Sequence, residues 1–398
     1  MHVVFVCSND THVRMFLPVA QVLGSRSVAG TMLSLDVFYG QGATAAARDA
    51  GLEVLEPRAR NAAREGQFYR RWPVVVWRDV LRARAPMEQL LKDAAPDVLV
   101  LGNDTGLIEK LALHLGRGMG VRGAVLVQDG RIVASRPRAR GPRQRVLHLM
   151  KRAVSPVLTL AGLPYLASSE YGQAGVDVIC ATGPRSAKLL SQQSRGAARV
   201  IVTGQPRYDG LASLRANRPS GPGLRVVVFT TPFEAAGLGV ERQRRQMEMV
   251  RDLADSFTRH GIGVYVKPHP REDAVDYEAP LGRDAVLSGS PSQALSAGDV
   301  AIVGISTVLE EAAILGCPVV VPGRILHDRG VAAALPPRDT YPRFASIEEA
   351  MELILGLRDV NARQELAARQ LARTREDLEI GSTPASARVA EAILGLDA

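Results

Sequence analysis

Short apolar runs rich in β-branched residues recur along this chain, and each is followed by a segment with helical periodicity. The series begins with HVVFVC at 2–7, continues with PDVLVLGND at 96–104 and VDVICATG at 176–183, and starts again with LRVVVFTTPFE at 224–234. Continuous apolar strands of this kind are typical of a parallel sheet that is buried on both faces. Because strands that alternate with helices form such sheets, the pattern predicts an α/β protein with Rossmann-like, doubly wound domains.

A polar segment separates the two series of strands. The chain has 398 residues, which is long for one domain, and residues 213–223 are rich in proline and glycine. We therefore predict an N-terminal Rossmann-like domain over 1–212 and a C-terminal Rossmann-like domain over 213–378. The last helical pattern, within 379–398, is predicted to pack back on the N-terminal domain.

Three more local predictions follow from the patterns. Apolar runs predict strands at 32–38 and at 285–288. Residues 58–95 are rich in arginine and mostly helical, and their aromatic side chains either line an acceptor groove or pack in the core. The order of Thr307 and Glu310 at the start of a helical pattern predicts a capping box.

Charge and composition limit the class of partner. The net charge is +8 and the pI is about 9.7, which suits phosphorylated substrates, an anionic membrane surface or nucleic acid. Only 5% of residues are aromatic, and no basic run alternates with aromatic residues, so we expect no nucleic-acid partner. The cysteines Cys7, Cys180 and Cys317 have no metal-binding spacing and are predicted to be buried, reduced thiols in a cytoplasmic protein. No run of about eighteen apolar residues predicts a membrane span.

Candidate catalytic residues of the first domain follow its strands. His12 lies just past the first strand, where it is either a base or substrate contact, or a helix-start residue exposed to water. Asp129 lies at the carboxyl end of the strand predicted at 122–130 and is well placed to take a proton from a hydroxyl nucleophile, although a turn-forming Asp-Gly pair explains it equally. Asp10 and Asp104, in polar loops after other strands, are candidates for the acceptor side.

The second domain carries a candidate phosphate site. Prolines flank His269 just after a strand and restrict the direction of its imidazole, and Lys267 adds positive charge beside it. Ser306 and Thr307 stand at the start of a helix, where free N–H groups suit a phosphate. In open parallel sheets ligands bind outside the carboxyl ends of the strands, so His269 and Ser306 are expected to converge on one nucleotide phosphate.

Two further residues belong to the predicted donor site. Thr230 ends the strand at 224–234, and Gly204 lies in a turn after the strand that begins near 197. No metal ligand set is evident, so we predict that neither a metal nor another cofactor takes part.

The segment 131–167 has an unusual charge pattern. Eight basic residues and no acidic one stand between 130 and 169, and an apolar stretch with two prolines, at 154–167, follows all eight. A basic run followed by an apolar one predicts either contact with an anionic membrane or lipid-linked acceptor, or a solvated surface loop.

These motifs resemble those of the GT-B fold glycosyltransferases, especially the bacterial capsule and sialic-acid transferase group and the related CDP-glycerol polymerases. The resemblance rests on His269-Pro270 and Ser306-Thr307, which in those enzymes hold the nucleotide phosphates. It implies two Rossmann-like domains that face a cleft, and a general base in an acidic-acidic-Gly motif, here Gln128-Asp129-Gly130. Glutamine replaces the first acid of that motif.

The stretch GISTVLEEAAILGCPVVV is also similar to UDP-GlcNAc 2-epimerases. In that family and in many GT-B transferases, the glutamate of this helix binds ribose. The resemblance implies the same role for Glu310. The resemblance to the GT-B glycosyltransferases implies a metal-independent enzyme. Such an enzyme moves a sugar from a nucleotide-activated donor to an acceptor hydroxyl in surface glycan or glycoconjugate biosynthesis. The location implied is cytoplasmic, with peripheral contact at the inner membrane face if 131–167 binds lipid. The alternatives are a UDP-sugar 2-epimerase and a non-catalytic subunit that binds nucleotide sugars.

Overall fold

The structure, a computed structural model, falls into two compact units. The first comprises residues 1–209 with 377–398, and the second comprises residues 210–376. The residues that the structure describes are 1–58, 73–130, 171–193, 198–211, 223–234, 239–304, 306–323 and 337–396, with residues 146, 149, 150, 153 and 214.

A seven-stranded parallel sheet forms the first unit. Its strands are β1 (His2–Cys7), β2 (Ala29–Ser34), β3 (Val54–Leu55), β4 (Val98–Leu101), β5 (Gly123–Val127), β6 (Val178–Ala181) and β7 (Arg199–Val202). The strand order is β3-β2-β1-β4-β5-β6-β7. Every residue of β4, β5 and β6 is buried, as continuous apolar strands require when helices cover both faces of a sheet.

Helices cover both faces of this sheet. They are α1 (Asp10–Gly24), α2 (Asp36–Tyr39), α3 (Ala43–Asp49), α4 (Pro73–Ala94), α5 (Leu107–Gly118), α6 (Pro184–Gln193) and α13 (Ala385–Leu394). One core contains Met87 from α4 and Leu111 from α5. The core on the opposite face contains Phe16 from α1 and Val389 from α13, so the end of the chain completes the first unit.

A five-stranded parallel sheet forms the second unit. Its strands are β8 (Arg225–Phe229), β9 (Gly263–Lys267), β10 (Val300–Val303), β11 (Val319–Pro322) and β12 (Arg343–Phe344), in the order β12-β11-β10-β8-β9. Its helices are α7 (Val240–Arg259), α8 (Val275–Leu281), α9 (Pro291–Ala297), α10 (Val308–Leu315), α11 (Ile347–Gly356) and α12 (Val360–Asp377). Leu253 and Phe257 of α7 and Ile354 of α11 pack in its core.

The sheet orders define where a ligand is expected. In the first unit the chain runs outward from β1 to β3 and then returns to place β4 on the other side of β1. In the second unit the chain runs outward from β8 to β9 and then returns to place β10 on the other side of β8. Loops diverge at such switch points, which leaves a crevice at the carboxyl edge of the sheet.

Two predicted strands are wrong in part. The strand predicted at 32–38 ends at Ser34, because Asp36 begins α2 and its carboxylate accepts the backbone N–H of Gln41 and Thr44. The strand predicted at 285–288 is a 3₁₀ turn, Arg283–Ala285, followed by an isolated bridge from Val286 to Val266. The bridge between Val286 and Val266 does not extend to neighbouring residues, so no strand forms at 285–288.

The burial predicted for the cysteines is confirmed. Cys7, Cys180 and Cys317 are buried, and none of the three forms a disulfide bond. Burial raises the pKa of the Cys180 thiol to about 12, so the thiol is protonated and unreactive at neutral pH.

Two predicted features lie outside the described residues. They are the side chains of Phe68, Trp72 and Trp77, and nearly all of the segment 131–167. Within the described part of the chain, no helix is both long enough and apolar enough to cross a membrane.

Candidate functional site

The carboxyl ends of β1, β4 and β5 lie together at the switch point of the first unit, and the loops after them carry the polar side chains of His12 and Asp129. His12 follows β1, Gly102 follows β4, and Asp129 follows β5. Parallel pairing in register brings these three strand ends to one edge of the sheet.

His12 is built into this edge rather than exposed. Its backbone N–H is accepted by the side chain of Asn9, the N-cap of α1, at 2.9 Å. Its imidazole has no exposed surface and lies so close to Gly102 that a Cβ there would stand 2.7 Å from the ring. Of the two alternatives for His12, the helix-start residue exposed to water is therefore wrong. The space for the ring depends on glycine at 102.

The imidazole of His12 contacts Asp129 directly. His12 Nε2 lies 3.2 Å from Asp129 Oδ2. The other ring nitrogen, Nδ1, accepts the backbone N–H of Ser8 at 3.3 Å. A nitrogen that accepts carries no proton, so neutral His12 carries its proton on Nε2 and donates it to Asp129. The two residues predicted as alternative bases thus form one pair.

Exposure assigns different roles to the two members of this pair. The side chain of His12 is 0% exposed, and that of Asp129 is 36% exposed. Only the carboxylate is accessible from outside, and the buried imidazole contacts it from behind. This is the arrangement expected of a general base that a buried partner holds in place.

Gln128, which stands where the resembled families carry an acid, is a structural residue. Its side-chain Nε2 donates to Gly130 O at 2.6 Å and to Ser186 Oγ at 3.1 Å, and its Oε1 accepts the Thr182 N–H at 3.0 Å. A carboxylate could accept from Thr182 but could not donate to a carbonyl oxygen. Glutamine at this position therefore shapes the loop that carries Asp129.

The other predicted residues of the first unit occupy different surroundings. Asp104 is fully buried, and its two oxygens accept the N–H groups of Gly172 and Ala174 at 3.0 Å each. An acceptor would reach this carboxylate only if that turn moved. Asp10 is partly exposed and pairs with Arg14 at 2.8 Å.

Gly204, predicted on the donor side, packs against the end of the chain. It has φ +81°, and a Cβ there would stand 2.6 Å from Glu379 O and 3.2 Å from Ala385. A left-handed backbone and this close approach both require glycine. The structure thus explains Gly204 by packing within the first unit.

In the second unit, the strands β10, β8 and β9 end together. The register pairs Val303 with Phe229 and Phe229 with Lys267. Thr230, His269 and Ser306 follow these ends. Since β8 lies between the other two strands, the ends of β9 and β10 are about 10 Å apart, a distance that one nucleotide diphosphate can span.

His269 is held by its backbone and by one ring nitrogen. Its N–H donates to Thr230 Oγ1 at 3.0 Å and to Glu272 Oε2 at 3.1 Å. Its Nδ1 accepts the backbone N–H of Arg271 at 3.1 Å. Neutral His269 therefore carries its proton on Nε2, which makes that nitrogen a hydrogen-bond donor. Lys267 contacts the carbonyl of Pro268 at 3.2 Å.

Glu272 is the centre of the network that holds this loop. Its Oε1 accepts from Tyr277 Oη at 2.8 Å, from Gln246 Nε2 at 3.1 Å and from Gln243 Nε2. Its Oε2 also accepts the hydroxyl of Thr230. One carboxylate thus ties β8, α7 and α8 to the loop that carries His269.

The start of α10 differs from the predicted capping box. Thr307 has helical dihedrals, φ −67° and ψ −12°, and its side chain makes no capping hydrogen bond. The hydroxyl of Ser306 instead accepts the N–H of Val308 at 3.2 Å. Glu310 is partly exposed in the first turn of α10. A true capping box joins Ser290 and Gln293 at the start of α9.

Sequence reasoning missed Glu272 and Ser8. Glu272 stands three residues after His269, and this His-Pro-x-Glu spacing was the available signal. Ser8 directly follows β1, and its backbone N–H and hydroxyl lie 3.3 Å and 3.2 Å from His12 Nδ1.

Comparisons with known proteins identify the fold. No protein-family model matches the sequence, and no curated protein matches it. Solved structures match over nearly the whole chain. UDP-GlcNAc 2-epimerase from Neisseria meningitidis, bound to UDP-GlcNAc, matches with a TM-score of 0.59 at 12% identity, covering 99% of this chain and 100% of that one.

Two glycosyltransferase structures are similar to the same degree. MurG from Acinetobacter baumannii has a TM-score of 0.56 at 13% identity and covers 99% of both chains. CalG4, the calicheamicin glycosyltransferase, has a TM-score of 0.59 at 14% identity, covering 99% of this chain and 98% of that one. The predicted fold class is confirmed: the chain has the GT-B fold, with two Rossmann-like parallel-sheet units.

Proposed function

We propose that the chain is a glycosyltransferase that moves a sugar from a nucleotide-activated donor to an acceptor hydroxyl. The observation that carries this proposal is the pair of Asp129 and His12 at the carboxyl edge of the first sheet. A half-exposed carboxylate with a buried imidazole behind it suits proton abstraction from a hydroxyl. The GT-B structures of MurG and CalG4 support the same class of reaction.

In the proposed reaction the acceptor hydroxyl loses its proton to Asp129. Its oxygen forms a bond to the anomeric carbon of the donor as the bond from that carbon to the phosphate oxygen breaks. The nucleotide leaves with the electron pair of that bond. Negative charge then grows on the phosphate, where fixed positive and N–H groups lower the barrier.

The donor nucleotide is proposed to bind at the carboxyl edge of the second sheet. The Nε2–H of His269 and the charge of Lys267 would meet the phosphate, together with N–H groups at the start of α10 near Ser306 and Thr307. Thr230 holds the loop of His269, and Glu310 is proposed to bind ribose. We propose that these groups stabilise the leaving phosphate without a metal or another cofactor.

The acceptor is proposed to be a surface glycan or lipid-linked glycoconjugate, as in the capsule and sialic-acid transferase group. The basic composition of 131–167 supports contact with an anionic membrane. Val146, Leu149 and Met150, which are helical and share one face by their spacing, are 55%, 63% and 45% exposed.

Vesicle binding tests this membrane contact. The protein is expected to sediment with vesicles that contain anionic lipid at low salt and to remain in solution with neutral vesicles, because the attraction depends on charge. Leu149→Glu should weaken the binding, whereas Leu81→Glu, an exposed site on α4, should not. Equal binding to neutral vesicles, or none to anionic ones, would remove the membrane proposal and leave the reaction unaffected.

A thermal-shift assay against UDP, CDP, CMP, GDP and dTDP tests the donor site. One nucleotide is expected to stabilise the wild type by about 2.7 kcal/mol at a hundred times its dissociation constant. His269→Ala should weaken binding by about 10- to 150-fold, the effect of losing one hydrogen bond to a charged group. His260→Gln, before the amino end of β9, is the matched control. If no nucleotide stabilises the wild type, the donor site is wrong.

An assay with and without an acceptor distinguishes the transferase from the alternative, a UDP-sugar 2-epimerase. A transferase releases nucleotide only when an acceptor is present, and an epimerase converts the donor sugar without one. The burial of Asp104 leaves the first unit with one fewer carboxylate at this edge that could contact a sugar. This observation favours the transferase.

A further inference from the structure

A buried glutamine of the first unit contacts the loop that carries Asp129. Gln205 follows β7, and its side chain is 3% exposed. Its Nε2 donates to the backbone oxygen of Gln128 at 2.8 Å and to the backbone oxygen of Asp129 at 3.2 Å. Gln205 thus contacts the main chain of the proposed base, although the two residues are 76 positions apart in the sequence.

The orientation of this amide follows from its neighbours. Only the nitrogen of a glutamine side chain donates, and its oxygen only accepts. The two partners of the Gln205 amide, in Gln128 and Asp129, are carbonyl oxygens, so an amide turned the other way would place three oxygens together. The nitrogen therefore faces the loop, where each of its two protons has an acceptor.

The side chain of Gln205 crosses the end of a strand. In the sheet, β6 lies between β5, which precedes Asp129, and β7, which precedes Gln205. The N–H of Gln128 donates to Cys180 O at 3.0 Å, and among the described residues no backbone hydrogen bond from this loop to β6 follows it. Since β5 and β7 are about 10 Å apart, a long amide side chain is needed where the backbone ladder stops.

The segment that carries Gln205 is fixed by the last helix. Arg388 of α13 donates through Nε to Thr203 O at 2.7 Å. The carboxylate of Asp209 accepts two backbone N–H groups at the start of α13, at 2.8 Å each. Hydrogen bonds to α13 on both sides of Gln205 therefore give its backbone a fixed position within the first unit.

We propose that Gln205 is a positioning residue for the proposed base, Asp129. The imidazole of His12 holds the carboxylate of Asp129 at 3.2 Å, and Gln205 holds the main chain of the same residue. With both ends of Asp129 held, its carboxylate has one direction. The catalytic meaning of this role rests on the proposed function, whereas the contacts that fix Asp129 do not.

The direction of the carboxylate matters because proton transfer depends on distance. A general base must come within hydrogen-bond reach of the proton that it takes. A displacement of about 1 Å in an active site can lower the rate by about 10²-fold. Because Gln205 donates to main-chain oxygens and not to the carboxylate, it sets the position of Asp129 without using a lone pair that the reaction needs.

The other end of the amide makes methionine an informative substitution. Gln205 Oε1 is buried and accepts no hydrogen bond from the described residues, which is unfavourable for stability. Methionine has a similar length and neither the N–H groups nor this oxygen. Gln205→Met therefore removes the two donated hydrogen bonds and one unfavourable buried oxygen together. We expect it to affect the position of Asp129 more than the free energy of unfolding.

NMR spectra of the full chain test the positioning without a substrate. With ¹⁵N-labelled histidine, and with His12 assigned through His12→Gln, the Nε2–H proton of wild-type His12 is expected far downfield, because it donates to a carboxylate. In Gln205→Met this proton should move upfield and exchange faster with water, since Asp129 is no longer held. Gln89→Met, which changes an exposed glutamine of α4, is the matched control and should leave the His12 signal unchanged.

Turnover tests the role of Gln205 in the proposed reaction. Gln205→Met should lower kcat by about 10- to 100-fold, the effect of two lost hydrogen bonds and a displaced base. The KM for the donor and the stabilisation by nucleotide should not change. A loss of stability alone would lower the unfolding temperature and leave the His12 signal of the folded protein as in the wild type.

Three outcomes decide the inference. A folded Gln205→Met protein with the wild-type His12 signal would overturn it. If this variant does not fold, the wild type is decisive: the side-chain NH₂ protons of Gln205 should exchange slowly with water, and exchange as fast as that of Gln89 would equally overturn it. A changed His12 signal with unchanged turnover would confirm that Gln205 positions Asp129 and contradict only the proposed function of Asp129 as the base.

Discussion

Asp129→Asn is expected to lower kcat by about 10²- to 10⁴-fold, the usual contribution of a general base. Asparagine has nearly the same shape and can still accept the hydrogen bond from His12 Nε2, but it cannot take a proton from an acceptor. Nucleotide binding, which is proposed for the second unit, should not change. The measurement is nucleotide release from the donor in the presence of acceptor, with thermal unfolding to verify the fold.

Asp93→Asn provides the matched control for this variant. Asp93 is exposed on α4 and, among the described residues, accepts only from Gln89, so the substitution should alter neither turnover nor stability. Should Asp129→Asn retain wild-type turnover, Asp129 is not the base. A His12→Gln variant with full activity would show in addition that the buried imidazole does not orient it.

Glu272→Ala is expected to abolish the nucleotide response even though Glu272 contacts no ligand in the proposed reaction. The substitution removes the acceptor of hydrogen bonds from Tyr277, Gln246 and Gln243 and one acceptor for His269 N–H. Unpaired, partly buried donors cost about 1–3 kcal/mol each, so the loop of His269 should lose its fixed geometry. Thermal unfolding with and without the nucleotide measures both effects.

Two variants separate this role from a general loss of stability. Glu272→Gln keeps the size of the side chain but presents an amide to several donors, so its nucleotide response should lie between those of wild type and Glu272→Ala. Glu248→Gln, an exposed site on α7 that pairs with Arg244, should behave as wild type. A Glu272→Ala protein with normal stability and normal nucleotide response would contradict the role of this network.

The sequence by itself determined the architecture of each unit. Apolar runs such as those of β4, β5 and β10 are continuous because helices cover both faces of their sheets, and their shortness and β-branched residues favour strands over buried helices. At 285–288 only an isolated bridge forms in place of the predicted strand, and the strand predicted at 32–38 was wrong beyond Ser34, at the end of β2. There a short polar contact, such as that of Asp36 with the following turn, overrides an apolar pattern.

The same patterns placed Asp129, His12 and His269 at strand ends, because the carboxyl edge of a parallel sheet is where its loops gather. Their positions in the chain could be predicted without a structure. Their hydrogen-bond partners could not be predicted in this way.

Only the tertiary structure decided which residues act together. His12 and Asp129 are 117 residues apart, and they meet because β1, β4 and β5 are neighbours in the sheet. The ring of His12 fits at this edge only because Gly102 has no Cβ to occupy the same space. Local patterns report the propensity of each segment, whereas a hydrogen-bond network depends on strand order and on space, which no single segment contains.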